Sequence, residues 1–487
     1  MGNKSSKELL EEIEKSELSV KERLEIPQIE MPCQDPAIRR TNQKEVATGY
    51  SETDVKVEAA RCLNCKAAPC VKGCPVGINI PGFISKAAEG KFEESLQIIK
   101  ESSLLPAVCG RVCPQELQCM AYCTVGKKYK DPMKSVAIGR IERFVADYEQ
   151  STGKTQVPEC AKDSGKKIAI IGSGPASLSA AADLGKLGHK VTIFEAFPKA
   201  GGVMLYGIPE FRLPKAIVNA EVETLKKMGI NFEFNFLIGR TRTIEDLMKK
   251  DGYNAVFIGV GAGLPKFMNL PGENLIGVFS ANEYLTRANL MKAYDRGNVD
   301  TPIYNSQKVA VIGGGNVAMD AARMALRLGA EEVNIIYRRT RLEMPARAEE
   351  VEHAEEEGIN FLFLTNPIEI KGDDNGKVNS VVFQKYELGD LDESGRRSPV
   401  PIEGETTELE MDTVIMALGN IANPLITKTT PDLEINKRGN IVVDEENRTS
   451  VKGVYAGGDI VLGAATVILA MGEGRKAAKT IHKDLGM

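Results

Sequence analysis

From residue 166 onward, short unbroken apolar runs alternate with amphipathic stretches. This is the pattern of buried parallel strands joined by crossover helices. Residues 168–171 (IAII) predict a strand, 178–187 the helix after it, and 190–194 a second strand that ends at Glu195. The pattern returns at 308–312 (KVAVI), 316–328 and 332–337 (EVNIIY). Between 371 and 410, strand-like runs such as VNSVVFQKYEL alternate with turn residues, among them Asp390 and Gly395. Residues 412–418 (DTVIMAL), with Gly419, predict another buried strand and a tight turn. GVYAGGD (453–459) ends a last strand at a glycine pair and an acid, and a helix is expected from about Ala464. Near the N-terminus, 7–25 reads as one helix-like charged stretch with leucines at 9, 10, 18 and 24. Such a stretch is either a partner-binding arm or a segment that packs on its own domain.

The first strand and helix are joined by Gly172-Ser173-Gly174-Pro175-Ala176-Ser177, a G-x-G-x-x-S turn. Gly172 allows the tight turn, Gly174 lets the backbone approach a pyrophosphate, and the helix N-terminus faces the negative charge. Ser177 stands where a third glycine is usual, and it is small. Glu195 lies 23 residues past Gly172, close to where an acid that holds a ribose hydroxyl is expected. The second unit carries Gly313-Gly314-Gly315-Asn316-Val317-Ala318, a G-x-G-x-x-A turn. Its following strand ends not in an acid but in Tyr337-Arg338-Arg339-Thr340-Arg341. An acid would repel a 2′-phosphate, whereas arginines bind it, so this site reads as NADP(H) over NAD(H). The alternative is that the arginines only solvate a surface. In AGGD, Gly457 and Gly458 permit close backbone approach, and Asp459 can accept from ribityl or ribose hydroxyls.

The ten cysteines add a third kind of chemistry, because eight of them lie between Cys62 and Cys123. The first group is Cys62-x2-Cys65-x4-Cys70-x3-Cys74-Pro; the second is Cys109-x3-Cys113-Pro, then x5-Cys119-x3-Cys123. The first keeps the opening C-x2-C and closing C-x3-C-P of a ferredoxin run with two extra residues between them. Thiolates are soft anionic donors suited to iron, and close spacing lets one loop wrap one face of a cluster. Zinc sites and redox-active thiols are the alternatives, but only one C-x2-C pair is present and no histidine is nearby. Cys33 and Cys160 stand alone and read as small apolar residues.

Composition narrows the classes. The chain has 487 residues, 62 basic and 67 acidic side chains, and a net charge of −5. At about 150 residues per domain this suggests three domains. The acidic balance argues against nucleic-acid and polybasic membrane binding, no apolar run is long enough to span a bilayer, and MGNKSSKELLEE lacks an apolar signal region, so a cytoplasmic location is expected. The three histidines, 189, 353 and 482, are expected to neighbour neither a second histidine nor a plausible nucleophile. Zinc hydrolysis and Ser-His-Asp chemistry are therefore not expected.

Taken together, CxxCxxxxCxxxCP, CGRVCP, GSGPA…FE, GGVMLYGIPEFRLP, GGGNVAMD, YRRTRLEMPA and AGGD resemble the glutamate synthase small-subunit family over roughly residues 30–487. That family includes the small subunit of NADPH-dependent glutamate synthase and the large subunit of electron-bifurcating NADH-dependent ferredoxin:NADP+ oxidoreductase. It also includes a sulfide dehydrogenase subunit and the N-terminal part of dihydropyrimidine dehydrogenase. The resemblance implies an α/β chain: a helical, ferredoxin-like N-terminal domain with two [4Fe–4S] clusters, then two Rossmann-type domains. The expected boundaries are 1–160 for the iron–sulfur domain, 161–300 and 412–487 for an FAD domain, and 301–411 for an inserted NADPH domain. One cluster would take Cys62, Cys65, Cys70 and Cys123. The other would take Cys74, Cys113, Cys119 and Glu142, leaving Cys109 spare. For FAD the resemblance implicates Gly172, Gly174, Ala176, Glu195, Gly202, Leu205, Gly207, Arg212, Gly458, Asp459 and Thr466. For NADPH it implicates Gly313, Gly315, Asn316, Val317, Arg338, Arg339 and Arg347.

The expected chemistry is hydride transfer between NADPH and flavin, which needs proximity and stacking rather than an acid–base side chain. The clusters would then carry single electrons to or from a partner. Two partners fit equally: a glutamate synthase large subunit, or a ferredoxin-reductase-like flavoprotein subunit, with ferredoxin as a further acceptor. The glutamate synthase small subunit is the preferred expectation. A sulfide dehydrogenase subunit and a non-catalytic cluster scaffold are further alternatives.

Overall fold

The computed structural model describes residues 4–153, 156–393 and 395–487. The segment up to Thr152 is helical, and among its described residues it contains no strand. The expected single helix over 7–25 is two helices, Ser6–Ile13 and Val20–Glu25. Each starts at its own capping box, Ser5 with Glu8 and Ser19 with Glu22, so Ser19 ends one helical run by beginning another. Leu9 and Ile26 pack with Val57 and Ala60, so this arm is held by its own domain.

A parallel sheet follows. Its strands are β1 (Lys167–Ile171), β2 (Lys190–Phe194), β3 (Asn231–Glu233) and β4 (Ala255–Ile258). The chain then leaves through a two-residue strand, β5 (Leu264–Pro265), into β6 (Val278–Ser280), β7 (Lys308–Ile312), β8 (Glu332–Tyr337) and β9 (Asn360–Phe363). An antiparallel excursion of β10 (Thr365–Gly372), β11 (Val378–Leu391) and β12 (Arg397–Glu410) follows. It is succeeded by β13 (Thr413–Met416), β14 (Asn420–Ile421) and β15 (Val454–Ala456). The first sheet has the order β15-β4-β1-β2-β3, the second β6-β13-β7-β8-β9, and β14 pairs with β5 antiparallel.

The second sheet is wider than the expected 301–411 insert. β6 lies before residue 301 and β13 after 411, yet β13 pairs in parallel with both β6 and β7. The insert therefore begins and ends at the β5–β14 ribbon. Two-residue strands leave no periodic signature to mark such a border. The strand-like stretch 371–410 forms two long strands instead of several short ones, with register shifts in β11 between Gln384 and Tyr386 and between Leu388 and Leu391. No helix among the described residues is long and apolar enough to cross a membrane.

Candidate electron-transfer site

At the C-terminal end of β1, residues 172–174 turn into the helix Pro175–Lys186. Gly172 has φ +90°, and a Cβ there would lie 2.7 Å from the Gly259 carbonyl oxygen. Glu195, at the end of β2, is buried and accepts from the N–H of Ser173 at 2.9 Å and the N–H of Phe197 at 2.8 Å. It also accepts from the Ser173 hydroxyl. The carboxylate thus fixes the glycine turn as well as standing beside the groove. Gly202 closes over the same turn, because a Cβ on it would sit 2.7 Å from Gly174 Cα. Gly458 meets Ala176, with a would-be Cβ 3.0 Å from Ala176 Cβ. Gly172, Gly174, Ala176, Glu195, Gly202 and Gly458 therefore lie together around one glycine turn. Burial pushes the neighbouring Asp459 carboxyl up to about 6. Thr466 caps the helix Val467–Asp484 by accepting from Leu469 N–H at 3.3 Å.

Leu205 and Gly207 lie on a short turn, Val203–Tyr206 and its C-cap. Sequence reasoning missed what holds that turn. Lys215 Nζ donates to the carbonyls of Met204 at 3.0 Å and Leu213 at 3.1 Å, and to that of Ile208. Burial lowers this amine to about 8. Gly474 was missed too: a Cβ there would lie 2.0 Å from the Ala176 carbonyl oxygen, so only glycine lets the two helices touch.

Arg212 is not at this groove edge. It forms an ion pair with Asp320 at 2.7 Å and Glu350 at 2.9 Å, residues of the inserted domain. The same buried network continues through Arg323, Glu357, Arg327 and Arg39.

In the second unit Gly315 precedes the helix Asn316–Arg327, with only Pro345 Cγ near its would-be Cβ, at 3.8 Å. The three arginines separate. Arg338 is exposed beyond the end of β8. Arg339 is buried and committed to Asp392 and the Arg397 carbonyl, each at 2.6 Å. Arg347 donates to the Arg111 carbonyl at 2.8 Å and pairs with Glu349 at 2.9 Å. Asn316 Oδ1 accepts from Arg347 N–H at 3.0 Å, while Val317 is partly exposed at the helix start. Of the three, Arg338 is the one left facing solvent.

The thiols fall into two neighbourhoods. Burial pushes Cys70 up to about 12, and Cys123 and Cys62 push in the same direction. Cys62 is raised by burial and then by Cys123 and Cys65. Around Cys119 the neighbours are Glu142 and Cys74, and Cys113 is raised by its hydrogen bond with Cys109, by burial, and by Glu142 and Cys119. Cys70 also pushes Cys119 up, so the two neighbourhoods adjoin. The first loop turns through Asn64 at φ +46° and Ala68 at φ +39°, left-handed conformations that non-glycine residues adopt only under constraint. Glu142 is buried, its Oε1 has no hydrogen-bond partner, and burial pushes it up to about 8. An orphaned carboxylate oxygen facing thiols fits a cluster ligand.

Three expectations are corrected. Cys33 and Cys160, read from the sequence as small apolar residues, are both exposed. His189 does neighbour a histidine in space: its Nε2 is 3.0 Å from His482 Nδ1. His353 Nε2 lies 3.8 Å from Cys33 Sγ.

Known proteins match this arrangement. The family model described as pyridine nucleotide-disulphide oxidoreductase covers residues 166–474, and that described as dihydropyrimidine dehydrogenase domain II, 4Fe-4S cluster, covers 39–154. The chain is 41% identical to the NADP(+)-dependent formate dehydrogenase subunit beta of Moorella thermoacetica over 86% of its own length, and spans 60% of that protein. It is 36% identical to the glutamate synthase [NADPH] small chain of Escherichia coli (strain K12), over 94% of this chain and 97% of that one. Mycobacterium tuberculosis FprA in complex with NADPH superimposes with a TM-score of 0.56 at 25% identity, over 66% of this chain and 84% of that one. The chain belongs to the glutamate synthase small-subunit family, a pyridine nucleotide-disulphide oxidoreductase unit behind an N-terminal 4Fe–4S domain, with FAD, NADP(H) and 4Fe–4S clusters as its cofactors.

Proposed function

We propose that this chain is the NADPH-oxidising, electron-input subunit of a glutamate synthase and delivers electrons to a larger partner subunit. The near end-to-end correspondence with a glutamate synthase small chain supports this reading. One geometric observation supports the route. The helix Val467–Asp484, which starts at the flavin groove, also lies against the second ligand set. Met471 Sδ is 3.6 Å from Cys109 Sγ, and Cys109 is hydrogen-bonded to Cys113. A Cβ at Gly472 would lie 3.5 Å from Val76 and 3.7 Å from the Pro75 carbonyl oxygen, next to Cys74. On this reading the set Cys74, Cys113, Cys119 and Glu142 would lie on the flavin side, with Cys62, Cys65, Cys70 and Cys123 outward of it.

FAD, when bound, supplies the conversion of a two-electron hydride into single electrons. The chain's own residues do the positioning. Glu195 and the glycine turn would hold the adenine-side ribose and pyrophosphate, Lys215 sets the loop over the groove, and Arg338 would select NADPH. Thr466 sets the helix start, whose positive end favours negative charge on the cofactor. A second reading, the same input role for another partner, takes support from the 41% identity to a formate dehydrogenase subunit. The test is anaerobic affinity purification from native cells, with co-purifying chains identified by mass. A partner about three times the size of this chain, with a glutaminase domain, is the expected result. A partner smaller than this chain and carrying its own flavin would replace this reading by a bifurcating transhydrogenase.

A further inference from the structure

A cavity of about 60 Å³ lies where the cysteine-rich domain, the loop of Phe211 and Arg212, and the inserted domain meet. Six arginines and four glutamates line it. Each glutamate is already answered. Glu45 pairs with Arg111 at 2.7 Å and Arg143 at 3.0 Å, Glu350 with Arg212 at 2.9 Å and with Arg323, and Glu349 with Arg347 at 2.9 Å. Glu116 Oε1 accepts from the Ala348 N–H at 3.3 Å, and its Oε2 is 3.8 Å from Arg347 Nε. Asp147, Asp320 and Glu357, which do not line the cavity, take further hydrogens of Arg111, Arg143, Arg212 and Arg323.

Donors are nevertheless left over. Among the described residues, the buried side-chain nitrogens without a hydrogen-bond acceptor are Arg212 Nε and Arg347 Nε, and both arginines line this cavity. Only 6% of the Arg212 side chain and 8% of the Arg347 side chain is exposed. Glu350 Oε1 is near Arg212 Nε but out of line with its N–H, and Glu116 is too far from Arg347 Nε to accept. A third donor on the wall is Arg140 Nη2, which finds Glu349 at 4.0 Å, beyond hydrogen-bond reach.

A buried guanidinium N–H takes an acceptor, and where the protein supplies none the acceptor is a water or an ion. Charge decides between them here. The donors are cationic and the arginines outnumber the glutamates, so an anion gains charge-assisted bonds that water does not match. The donors also come from three units: Arg140 from the cysteine-rich domain, Arg212 from its loop, and Arg347 from the insert. An ion reached from three sides must accept on three sides. A tetrahedral oxyanion does so; a planar carboxylate, with two oxygens on one edge, does not. At roughly 10–15 Å³ per water the cavity holds about four to six, room for an ion of phosphate size and too little for a nucleotide.

We infer that this cavity binds one tetrahedral oxyanion, phosphate or sulfate, through Arg140, Arg212 and Arg347, and that the ion clamps the inserted domain to the other two units. The inference goes beyond the electron-input reading and does not depend on it.

The test uses the full holoprotein saturated with NADP+, so that the phosphate positions of the nucleotide site are filled. Inorganic phosphate is titrated by isothermal calorimetry in chloride at constant ionic strength. One phosphate should bind per chain, sulfate should displace it, and acetate should bind at least about tenfold more weakly. Arg347→Gln should weaken phosphate binding at least about tenfold. Arg140→Gln, at a partly exposed side chain, should weaken it several-fold. Phosphate should also raise hydrogen-exchange protection in the helix Ala348–Glu356, whose N-cap is Arg347, in the parent but not in Arg347→Gln. Far-UV circular dichroism checks that the variants are folded; if Arg347→Gln is not, Arg140→Gln decides. No saturable phosphate binding to the NADP+-saturated parent, unchanged affinity in both variants, or acetate binding as tightly as phosphate overturns the inference.

Discussion

Glu357 is the centre of the charge network between the inserted domain and the rest of the chain, and Glu357→Gln tests how much that centre holds. Its side chain is fully buried. It accepts from Arg39 Nε at 3.0 Å, Arg323 Nη2 at 2.8 Å and Arg327 Nη1 at 2.6 Å. Burial alone would push this carboxyl up, but the hydrogen bonds and charges of Arg327 and Arg323 outweigh it and hold it down to about 2, against an ordinary 4.5. A depressed carboxylate stabilises the fold above its ordinary value and loses that contribution as pH falls through the depressed one. The difference corresponds to about 3 kcal/mol at pH 7. The independent expectation for stranding a buried charge is about 3–5 kcal/mol, so the two agree.

Hydrogen exchange read by mass spectrometry reports the cost locally. In Glu357→Gln, protection in the helices Asn316–Arg327 and Ala348–Glu356 should fall by about two orders of magnitude. Protection in Val467–Asp484, which lies outside the network, should hold. The difference between parent and variant should shrink as pH is lowered from 4.5 toward 2, because the parent then loses the same carboxylate. Adding Arg39→Met removes one stranded guanidinium and should recover part of the loss, a coupling of about 0.5–3 kcal/mol. A change below tenfold, or an equal change in the distant helix, would refute the reasoning.

Three further outcomes are expected. Arg338→Ala should cut the preference for NADPH over NADH by about 10–100-fold in kcat/KM, the worth of a charge-assisted bond to the 2′-phosphate, while Arg339→Ala should lower stability instead; equal rates with both nucleotides in the parent would contradict this. Glu142→Ala and Cys119→Ala should each remove about half of the iron while FAD stays bound, measured by iron assay and flavin absorbance, and full iron in both would end the ligand assignment. His189 is held below its ordinary value by burial, then by His482 and Lys166. Its contribution is therefore full above about pH 6.5 and lost as pH falls below it, so His482→Gln should flatten the acid arm of the melting-temperature profile between about pH 7 and 5.

What was legible in the sequence was local. The glycine turns, Glu195 and Asp459 sit at fixed offsets from strand ends, so a strand pattern and a few residues locate them. The cysteine runs likewise show their spacing. What was not legible depends on pairings between distant segments. Arg212 sits in a Gly/Pro-rich loop that reads as cofactor-binding, and nothing nearby shows that Asp320 and Glu350 take the Nη1 and Nε edges of its guanidinium. Arg338 and Arg339 are adjacent and look equivalent, yet Arg339 turns inward to Asp392, which a long hairpin brings back to it. His189 and His482 are separated by 293 residues and meet only because the last helix returns to the first sheet.

The same long-range pairings explain why the junction is ionic. Phe211 already offers an apolar face there, with Arg323 and Arg327 guanidinium carbons 4.8 and 4.0 Å from its ring centre. An apolar junction of similar size would hold as well or better, because buried ion pairs lose in desolvation most of what they gain. Hydrophobic contact is non-directional, however, and tolerates sliding. A carboxylate shared among three guanidiniums tolerates very little, since every shift strands a charge. Arg39 comes from the cluster domain, Arg212 from the flavin loop, and Arg323, Arg327, Glu350 and Glu357 from the insert. The network thus ties three units at one point, and Arg347 adds a second tie to the carbonyl of Arg111 inside the CGRVCP run. The helix Val467–Asp484 already touches both the first glycine turn, at Ala176, and the cysteine-rich domain, at Cys109. Fixing the insert to both leaves the nicotinamide-binding unit one defined orientation, which is what transfer between closely apposed cofactors requires.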